Sequence, residues 1–293
     1  MAIIPPFFME AVVALGIELP DKKKHWVGTG FLVGRKEEAN PGQSTVYVIT
    51  NKHVIRNQRK LYVRFNNSDQ VGVKDLPMSL IDNNGAPIFS EHPVASIDIV
   101  AIQIIPKVIL DNKLSLNFYD LESHALTLEQ MKMTGVDEGS LIYALGFPMN
   151  LVDDSVKAPI CRLGCISRVA DAFVNPRTAE QYLVDAQTFP GNSGGPIVSR
   201  PEHTSIDGTP HNPSATLIGI LCAYIPYRET LFSRQTGRDR MIQEENSGLT
   251  VVHPVDRIKE VVELEWHRVE AKAAASRANS ENDMQEAKEE AVV

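Results

Sequence analysis

The chain is a succession of short apolar segments separated by turn residues, and this pattern constrains its fold more than any other feature. Segments rich in Val, Ile, Leu and Tyr recur along most of the chain, and clusters of Gly, Pro, Asn and Asp punctuate them. The candidate strands are 11–19, 25–34, 44–51, 60–65, 97–104, 140–147, 161–169, 180–187, 195–199, 215–225 and 247–254. A series of about eleven or twelve short strands favours a β-sandwich or barrel, and suffices for two small barrels.

The pattern changes after Pro254. Apolar residues at positions 255, 258, 261, 262 and 266 follow a helical period, and Asp256 in the first turn suits the helix dipole. From about residue 270 the apolar face gives way to Ala, Glu and Lys. The sequence therefore predicts a C-terminal helix that runs into an acidic tail, 263–293, which is either helical or disordered. That tail would be a solubilising segment or a partner-binding helix.

Composition excludes several classes of function. The net charge is −8 over 293 residues, whereas a general nucleic-acid binder usually shows a basic face. No apolar run reaches the roughly 18 residues of a membrane helix, so we expect a cytoplasmic protein with no membrane and no nucleic acid among its partners. Three cysteines, Cys161, Cys165 and Cys222, make no disulfide framework and lack a second ligand pair for zinc. We expect no metal and no cofactor.

Residues 188–197, TFPGNSGGPI, form a glycine-rich turn around one serine, Ser193. A serine hydroxyl becomes a good nucleophile only when a neutral imidazole takes its proton and a carboxylate orients that imidazole. His53 follows an apolar strand, which would deliver it at the strand's end. Asp98 lies in a run of Ile, Val and Ala, where a buried carboxylate needs a partner. Each residue alone also fits a plain structural role, as a surface histidine and a water-facing aspartate.

Taken together, these segments resemble the trypsin-like serine peptidases, and more closely the protease domain of the HtrA/Deg type. The matching stretches, in the family's order, are GTGFLVG, VYVITNKHVI, SIDIVAIQI, IYALGFP, CRLGCISRV, DAQTFPGNSGGPIVS, GILCAYI and SGLTVVHPVDRIKEVV. The resemblance implies an all-β fold of two six-stranded antiparallel β-barrels with a C-terminal helix. The peptidase domain would be residues 1–262, with its first barrel at about 10–115 and its second at about 138–254.

The resemblance also implies a function, a serine endopeptidase acting on protein or peptide substrates. Ser193 would attack the peptide carbonyl, His53 would carry the proton, and Asp98 would orient His53. The backbone amides of Gly191 and Ser193 would form the oxyanion hole. Glycines in this turn would allow the tight backbone path that brings both amides to the oxyanion.

The same resemblance implies where the substrate side chain binds. Gln187 would lie at the floor of the specificity pocket, and its walls would be Cys222, Ala223 and Tyr224. Because no aspartate stands at the floor position, we predict a preference for small or medium apolar side chains. Residues 221–225 would pair with the substrate backbone as an added strand.

Two departures from the family pattern bear on regulation. Asn192 stands where trypsin has the aspartate that pairs with a freed N-terminal amine. We therefore predict control by loop ordering or by a partner rather than by N-terminal cleavage. HtrA-type proteins usually append a PDZ domain, and the roughly 30 residues after the protease domain are too few to form one. A regulatory protein would then dock on the loops or on the C-terminal tail.

Two other functions fit parts of the sequence. A binding or scaffold module of the same fold, with little turnover, would use the groove to hold a peptide. An esterase of the α/β-hydrolase type would use the G-x-S-x-G pattern within GNSGG. That motif requires a helix after the serine and the order Ser, Asp, His, whereas here a strand follows and His53 precedes Ser193.

Overall fold

The computed structural model describes residues 4–37, 40, 42–69, 71–202, 210 and 212–290, with side chains described up to residue 277. The strands are β1 (Val12–Glu18), β2 (Lys24–Lys36), β3 (Ser44–Thr50), β4 (Lys60–Asn66), β5 (Val73–Ser79), β6 (Ser90–Glu91), β7 (Val100–Ile104), β8 (Tyr119–Asp120), β9 (Leu141–Gly146), β10 (Ile160–Arg168), β11 (Tyr182–Asp185), β12 (Pro196–Ser199), β13 (Thr216–Phe232) and β14 (Asp239–Pro254). The helices are α1 (Pro6–Glu10), α2 (Lys52–Ile55), α3 (Pro106–Asp111), α4 (Leu128–Thr134), α5 (Ala170–Val174) and α6 (Val255–Glu290), with a 3₁₀ turn at Pro148–Asn150.

The N-terminal half forms an eight-stranded sheet. Its path is β5-β4-β1-β2-β3-β7-β6, and β8 adds to β2 in parallel. Alternate residues of these strands point to one interior, where Val13, Leu32, Val48 and Ile102 are buried. We call this the first sheet.

The predicted closure of the first six-stranded barrel is wrong. Strands β5 and β6 end the path of the first sheet without pairing to each other. The turn between them makes one isolated bridge, between Ile81 and Pro87, flanked by backbone hydrogen bonds from Ile88 N to Leu80 O at 3.0 Å and from Asp82 N to Ala86 O at 2.8 Å. Strand β6 is only two residues long, and Pro87 has no N–H to donate. A continuous ladder therefore cannot form along this seam.

The C-terminal half forms a closed barrel of six strands, which confirms the second predicted barrel. The order around it is β10-β11-β14-β13-β12-β9, and every pairing is antiparallel. Its interior holds Ile142, Ile166, Val184 and Ile218, all buried. We call this unit the second barrel.

A third apolar cluster joins the two halves. It includes Phe31 of the first sheet, Leu145 and Leu217 of the second barrel, and Ile258 of α6. Helix α6 begins directly after β14, as the sequence predicted, and its buried face follows the predicted period with Val255, Ile258, Val261 and Val262. The site described below lies where the two halves meet.

Strands β13 and β14 extend well beyond the second barrel. The sequence pattern ended these strands at 225 and began the return at 247, but they continue as a two-stranded hairpin to Phe232 and from Asp239. Residues of β13 up to Leu221 are buried, whereas those from Tyr227 onward are exposed. We call residues 225–246 the arm.

Candidate active site

His53 lies in the one-turn helix α2, which starts directly after β3 ends. Val54 and Ile55 of this turn are buried, so they anchor it while the imidazole stays 44% exposed. The preceding Asn51 is fully buried and its Nδ2 donates to Asp98 O at 2.7 Å. Asn51 therefore ties the turn that carries His53 to the segment that carries Asp98.

Asp98 accepts two hydrogen bonds from His53. Its Oδ2 lies 2.5 Å from His53 Nδ1, and its Oδ1 accepts from the His53 backbone N–H at 3.2 Å. The carboxylate fixes the proton of the neutral imidazole on Nδ1 and leaves Nε2 as the acceptor. Burial alone would raise the pKa of Asp98, but the hydrogen bonds and charge of His53 outweigh burial and hold this pKa below its usual value.

His253, near the end of β14, holds the backbone of Asp98. The Asp98 N–H donates to His253 Nε2 at 3.1 Å, and His253 Nδ1 lies 2.7 Å from the Glu180 carbonyl oxygen. With Nε2 accepting and Nδ1 donating, the ring is neutral. Its burial lowers the pKa of His253 from the ordinary value, which favours the same neutral form. Sequence reasoning passed over His253 because nothing local marks a histidine that contacts a residue 155 positions away.

Ser193 faces the same cavity as His53. The cavity has a volume of about 220 Å³, and both residues line it. Ser193 Oγ donates to the carbonyl oxygen of Cys222 at 3.4 Å, a long and weak bond. Within the described residues, no hydrogen bond joins Ser193 Oγ to His53 Nε2. The hydroxyl and the imidazole are brought together, with the hydroxyl rotated toward Cys222.

The turn that contains Ser193 is held by Thr29 of β2. The Thr29 N–H donates to Ser193 O at 3.0 Å, and its Oγ1 donates to Gly191 O at 2.6 Å. Oγ1 also accepts from the Phe147 N–H at 3.0 Å. Thr29 is fully buried, so these bonds are shielded from water. Thr29 belongs to the first sheet, whereas the turn belongs to the second barrel.

Two glycines of the turn have no room for a side chain. Gly194 has φ +84°, and a Cβ there would lie 2.2 Å from Thr29 O. Gly191 has φ +97°, and a Cβ there would lie 2.4 Å from Phe147 O. The close approach of Gly194 to the first sheet, and of Gly191 to the segment after β9, therefore requires glycine at both positions.

The peptide between Pro190 and Gly191 is oriented by the short 3₁₀ turn after β9. The Met149 N–H donates to Pro190 O at 2.6 Å. Because the C=O and N–H of a trans peptide point in opposite directions, this bond turns the Gly191 N–H away from Met149. Met149 and Asn150 both have left-handed backbone, with φ 53° and 58°, a strained conformation that recurs at functional sites.

The segment after Met149 is anchored to the first sheet. Lys157 is almost fully buried, and its Nζ donates to the backbone oxygens of Glu10 and Val12 at 2.5 and 2.8 Å. Arg64 donates to Asp153 O at 2.6 Å. Burial lowers the pKa of Lys157 to about 8, while the carboxylate of Glu10 opposes that shift. The segment that follows Met149 is thus fixed to the N-terminal half at Asp153 and at Lys157.

Three of the four residues expected to form the specificity pocket line the cavity beside Ser193. These are Cys222, Ala223 and Tyr224, and Gln187 does not line it. Gln187 lines a separate cavity with Asp185 and others. The remaining lining residues of the Ser193 cavity are Thr188, Phe189, Pro190 and Leu221.

Cys222 contacts both Ser193 and Asp98. Its carbonyl oxygen accepts from Ser193, and its Sγ lies 3.6 Å from Asp98 Oδ2. Burial, with a smaller effect of the Asp98 charge, raises the pKa of the Cys222 thiol to about 12. The thiol is therefore a neutral donor to Asp98 at neutral pH.

Among the residues that the structure describes, no three His, Cys, Asp or Glu side chains are grouped as metal ligands. Within the same residues, no helix has the length and apolar character needed to cross a bilayer.

Comparison with known proteins identifies the family. Residues 28–203 match the family model of the trypsin-like peptidase domain, which is more than half of the chain, so the chain belongs to this family. Two solved structures that it resembles are the inactive form of the Rv3671c protease and a serine-to-alanine mutant of Rv3671c from M. tuberculosis H37Rv. The first is 14% identical, with 88% of this chain and 91% of that chain covered and a TM-score of 0.43. The second is 14% identical, with 90% and 92% covered and a TM-score of 0.45. No curated protein sequence matches the chain.

Proposed function

We propose that this peptidase is a serine endopeptidase that uses Ser193 as nucleophile, His53 as general base and Asp98 as the orienting carboxylate. One observation carries the proposal. The imidazole of His53 is held by Asp98 at 2.5 Å, and its ring lines the same cavity as the hydroxyl of Ser193. A neutral histidine oriented by a carboxylate is what a serine needs to become nucleophilic.

The reaction proceeds through an acyl-enzyme. Ser193 Oγ rotates from the Cys222 carbonyl to His53 Nε2, which takes its proton as the oxygen attacks the substrate carbonyl. Protonated His53 is stabilised by Asp98 and gives the proton to the leaving amine. Water then attacks the acyl carbon and gives a proton to His53, and the bond to Ser193 Oγ breaks as His53 returns the proton to that oxygen and the acid product leaves. The weak 3.4 Å bond to Cys222 is a small barrier to that rotation.

The oxyanion of the tetrahedral intermediate would be bound by the N–H groups of Gly191 and Ser193. Within the described residues neither N–H has a hydrogen-bond partner, while the carbonyl oxygens of Gly191 and Ser193 are taken by Thr29. Removal of one such donor typically costs about 3 kcal/mol of transition-state stabilisation. The Met149 bond to Pro190 and the Thr29 bonds to the turn orient these groups before the substrate arrives.

The pocket supports a preference for small or medium apolar side chains. Its lining is apolar apart from Thr188, the Tyr224 hydroxyl and the proposed catalytic groups, and its volume is about 220 Å³. The backbone edge at Cys222–Tyr224 would pair with the substrate.

Control by loop ordering fits the environment of Asn192. This residue is 4% exposed, and its Nδ2 has no hydrogen-bond partner within the described residues. An amide in this place cannot form the ion pair that an aspartate would make with a terminal amine. We also propose that the chain is more similar to HtrA-type enzymes than to trypsin, and that a regulatory protein binds its C-terminal tail.

A fluorophosphonate probe tests the function. We expect the wild-type chain to be labelled covalently and Ser193→Ala to remain unlabelled, with both folded by circular dichroism. If a folded wild-type chain takes no label and cleaves no unfolded protein such as casein, the alternative of a peptide-binding module with little turnover replaces the proposal.

A further inference from the structure

The strand that forms the wall of the Ser193 cavity continues into the arm with one edge open. Strand β12 pairs with β13 only as far as Ile220. From residue 223 to 232, β13 pairs with β14 alone. Within the described residues, the opposite edge therefore carries backbone groups with no strand beside them. This open edge begins at the cavity and runs outward for about ten residues, or roughly 33 Å.

The arm exposes large apolar side chains. Those with more than half of their surface exposed are Tyr227 (54%), Phe232 (66%), Met241 (58%) and Ile242 (61%), and Leu231 follows at 46%. A two-stranded ribbon in water is marginally stable by itself, and a third strand stabilises it. Exposed apolar side chains beside an open strand edge indicate a surface that a partner covers.

The end of the arm is basic in an acidic protein. Residues 233–240 contain Arg234, Arg238 and Arg240 against a single acid, Asp239, whereas the whole chain has a net charge of −8. Arg228 and Glu244, nearer the barrel, pair with each other at 2.7 Å. In the part of the chain that the structure describes, no ion pair is formed by the three arginines at the end. Their charge favours an acidic partner there.

We propose that the arm is an extended substrate-binding edge, which takes the polypeptide on the acyl side of the scissile bond as a third strand. The inference rests on the proposed peptidase function, since it places the scissile bond at Ser193. The ligand is an extended, unfolded polypeptide with apolar side chains near the cleft and acidic ones toward the end of the arm.

The orientation of the substrate follows from strand pairing. Antiparallel pairing is the more stable arrangement, and a strand antiparallel to β13 ends its course at Cys222, beside Ser193. Every residue that lies along the arm is then N-terminal to the scissile bond. Pro226 has no N–H, so the hydrogen bonds between β13 and the substrate strand are interrupted there. Beyond Pro226, the substrate would contact the backbone edge from Tyr227 to Phe232 and the exposed side chains of the arm.

Internally quenched peptides test this inference. One set has an eight-residue core, with the residue before the scissile bond varied over apolar types. A second set carries the extension Glu-Glu-Val-Thr-Val-Thr before the core, and a third carries it after the core. For wild type we expect kcat/KM to rise about tenfold with the N-terminal extension, from one or two added backbone hydrogen bonds and apolar contacts, and to stay unchanged with the C-terminal one.

Two variants separate the arm from the catalytic site. In the first, residues 228–244 are replaced by Asn-Gly, which joins the paired Tyr227 and Glu245 by a two-residue turn. In the second, Leu231→Ser and Phe232→Ser change side chains only. The matched control is Val174→Ser, which replaces an 84% exposed residue on α5. We expect every variant to cleave the core peptide like wild type, and only the two arm variants to lose the gain from the N-terminal extension.

Peptide binding to the Ser193→Ala variant tests the inference without turnover. Fluorescence anisotropy with the labelled N-terminally extended peptide should show about tenfold tighter binding than with the core, and the gain should vanish when the arm is shortened. Equal rates and equal affinities for core and extended peptides would overturn the inference, as would a gain that survives shortening or appears only with the C-terminal extension. Absence of all cleavage, with the binding difference intact, would refute the peptidase proposal and not the binding edge.

Discussion

The open first sheet and the closed second barrel contribute different groups to the candidate active site. The first sheet carries His53 after β3 and Asp98 before β7, so it would supply the proposed general base and the carboxylate that orients it. The second barrel carries Ser193 in the turn before β12, and it forms the cavity wall where the buried part of β13 ends. Neither half holds both the proposed nucleophile and its proposed base.

Because Ser193 and His53 come from different halves, their relative position depends on contacts between the halves. Three of the contacts that cross between the halves reach the candidate site residues: Thr29 to the turn at Gly191 and Ser193, His253 to the Asp98 backbone, and Cys222 Sγ to Asp98. Two of them are made by buried groups, where an unpaired polar atom is expensive. We infer that these contacts, more than the pairing within either half, set the distance from Ser193 to His53.

The largest expected effect comes from breaking the pair within the first sheet. Asp98→Asn keeps the size of the side chain but donates to Nδ1, which favours the wrong tautomer of His53. We expect kcat to fall about 10³- to 10⁴-fold with KM little changed. Steady-state cleavage of the core peptide measures it. A drop under tenfold, in a variant whose melting temperature matches wild type, would show that Asp98 does not orient the base.

The next effect comes from cutting a contact between the halves. Thr29→Val removes the Oγ1 bonds to Gly191 O and from Phe147 N. The cost of leaving such buried groups unpaired predicts a fall in kcat of about ten- to hundredfold. Stopped-flow labelling by the fluorophosphonate gives the same comparison at the acylation step.

The matched control is Thr216→Val. Thr216 is also buried and bonded to Ser199 at 2.7 Å, but both residues belong to the second barrel. We expect this variant to lose stability and to keep its kcat within about threefold. If both threonine variants reduce kcat equally, contacts between the halves have no special part in alignment.

The third prediction concerns pH. Burial lowers the pKa of His253 from 6.5, so below that pH the unfolded chain binds this proton more readily than the folded chain. The free energy of unfolding therefore rises with pH below 6.5 and loses this dependence above it. His253→Gln should flatten the slope, which urea unfolding at several pH values measures. His124, whose pKa burial also lowers, contributes with the same sign and stays in both proteins. An unchanged slope would mean that folding does not lower the pKa of His253.

The smallest expected effect is that of Cys222→Ser. A hydroxyl replaces the thiol as donor to Asp98 and preserves the carbonyl that contacts Ser193. We expect kcat to stay within about threefold of wild type, because a neutral donor is exchanged for a somewhat stronger one. A loss of tenfold or more, measured on the core peptide, would show that the size of the sulfur fixes the cavity wall.

Sequence patterns predicted those features of the fold that depend on local periodicity. The strands of the second barrel follow from short apolar segments between turn residues, and the helix that begins at Val255 follows from apolar residues at a helical period, whereas closure of the strands into a barrel was implied by the family resemblance. Closure of the first sheet depends on how β5 meets β6, and β6 is too short to be seen as a pattern. The arm was missed because Pro226 and the charged residues after it do not resemble a buried strand.

The same limit applies to the site. Residues with a chemical signature, Ser193, His53 and Asp98, were predicted from motifs, and the structure brings them to one cavity or into contact with a residue that lines it. Thr29 and His253 act through partners more than 100 residues away, so no local pattern indicates them. Their roles can be recognised only in the folded chain, where the hydrogen-bond partners of their buried polar atoms are visible.

The most direct test of this account is the crystal structure of the chain after reaction with a fluorophosphonate. We expect the phosphorus on Ser193 Oγ, its unesterified oxygen within hydrogen-bond distance of the Gly191 and Ser193 N–H groups, and His53 still bonded to Asp98. The bonds from Thr29 to the turn should be unchanged, since they hold the site before reaction. An adduct on another residue, or one on Ser193 whose oxygen faces solvent while His53 has left Asp98, would contradict the proposed active site.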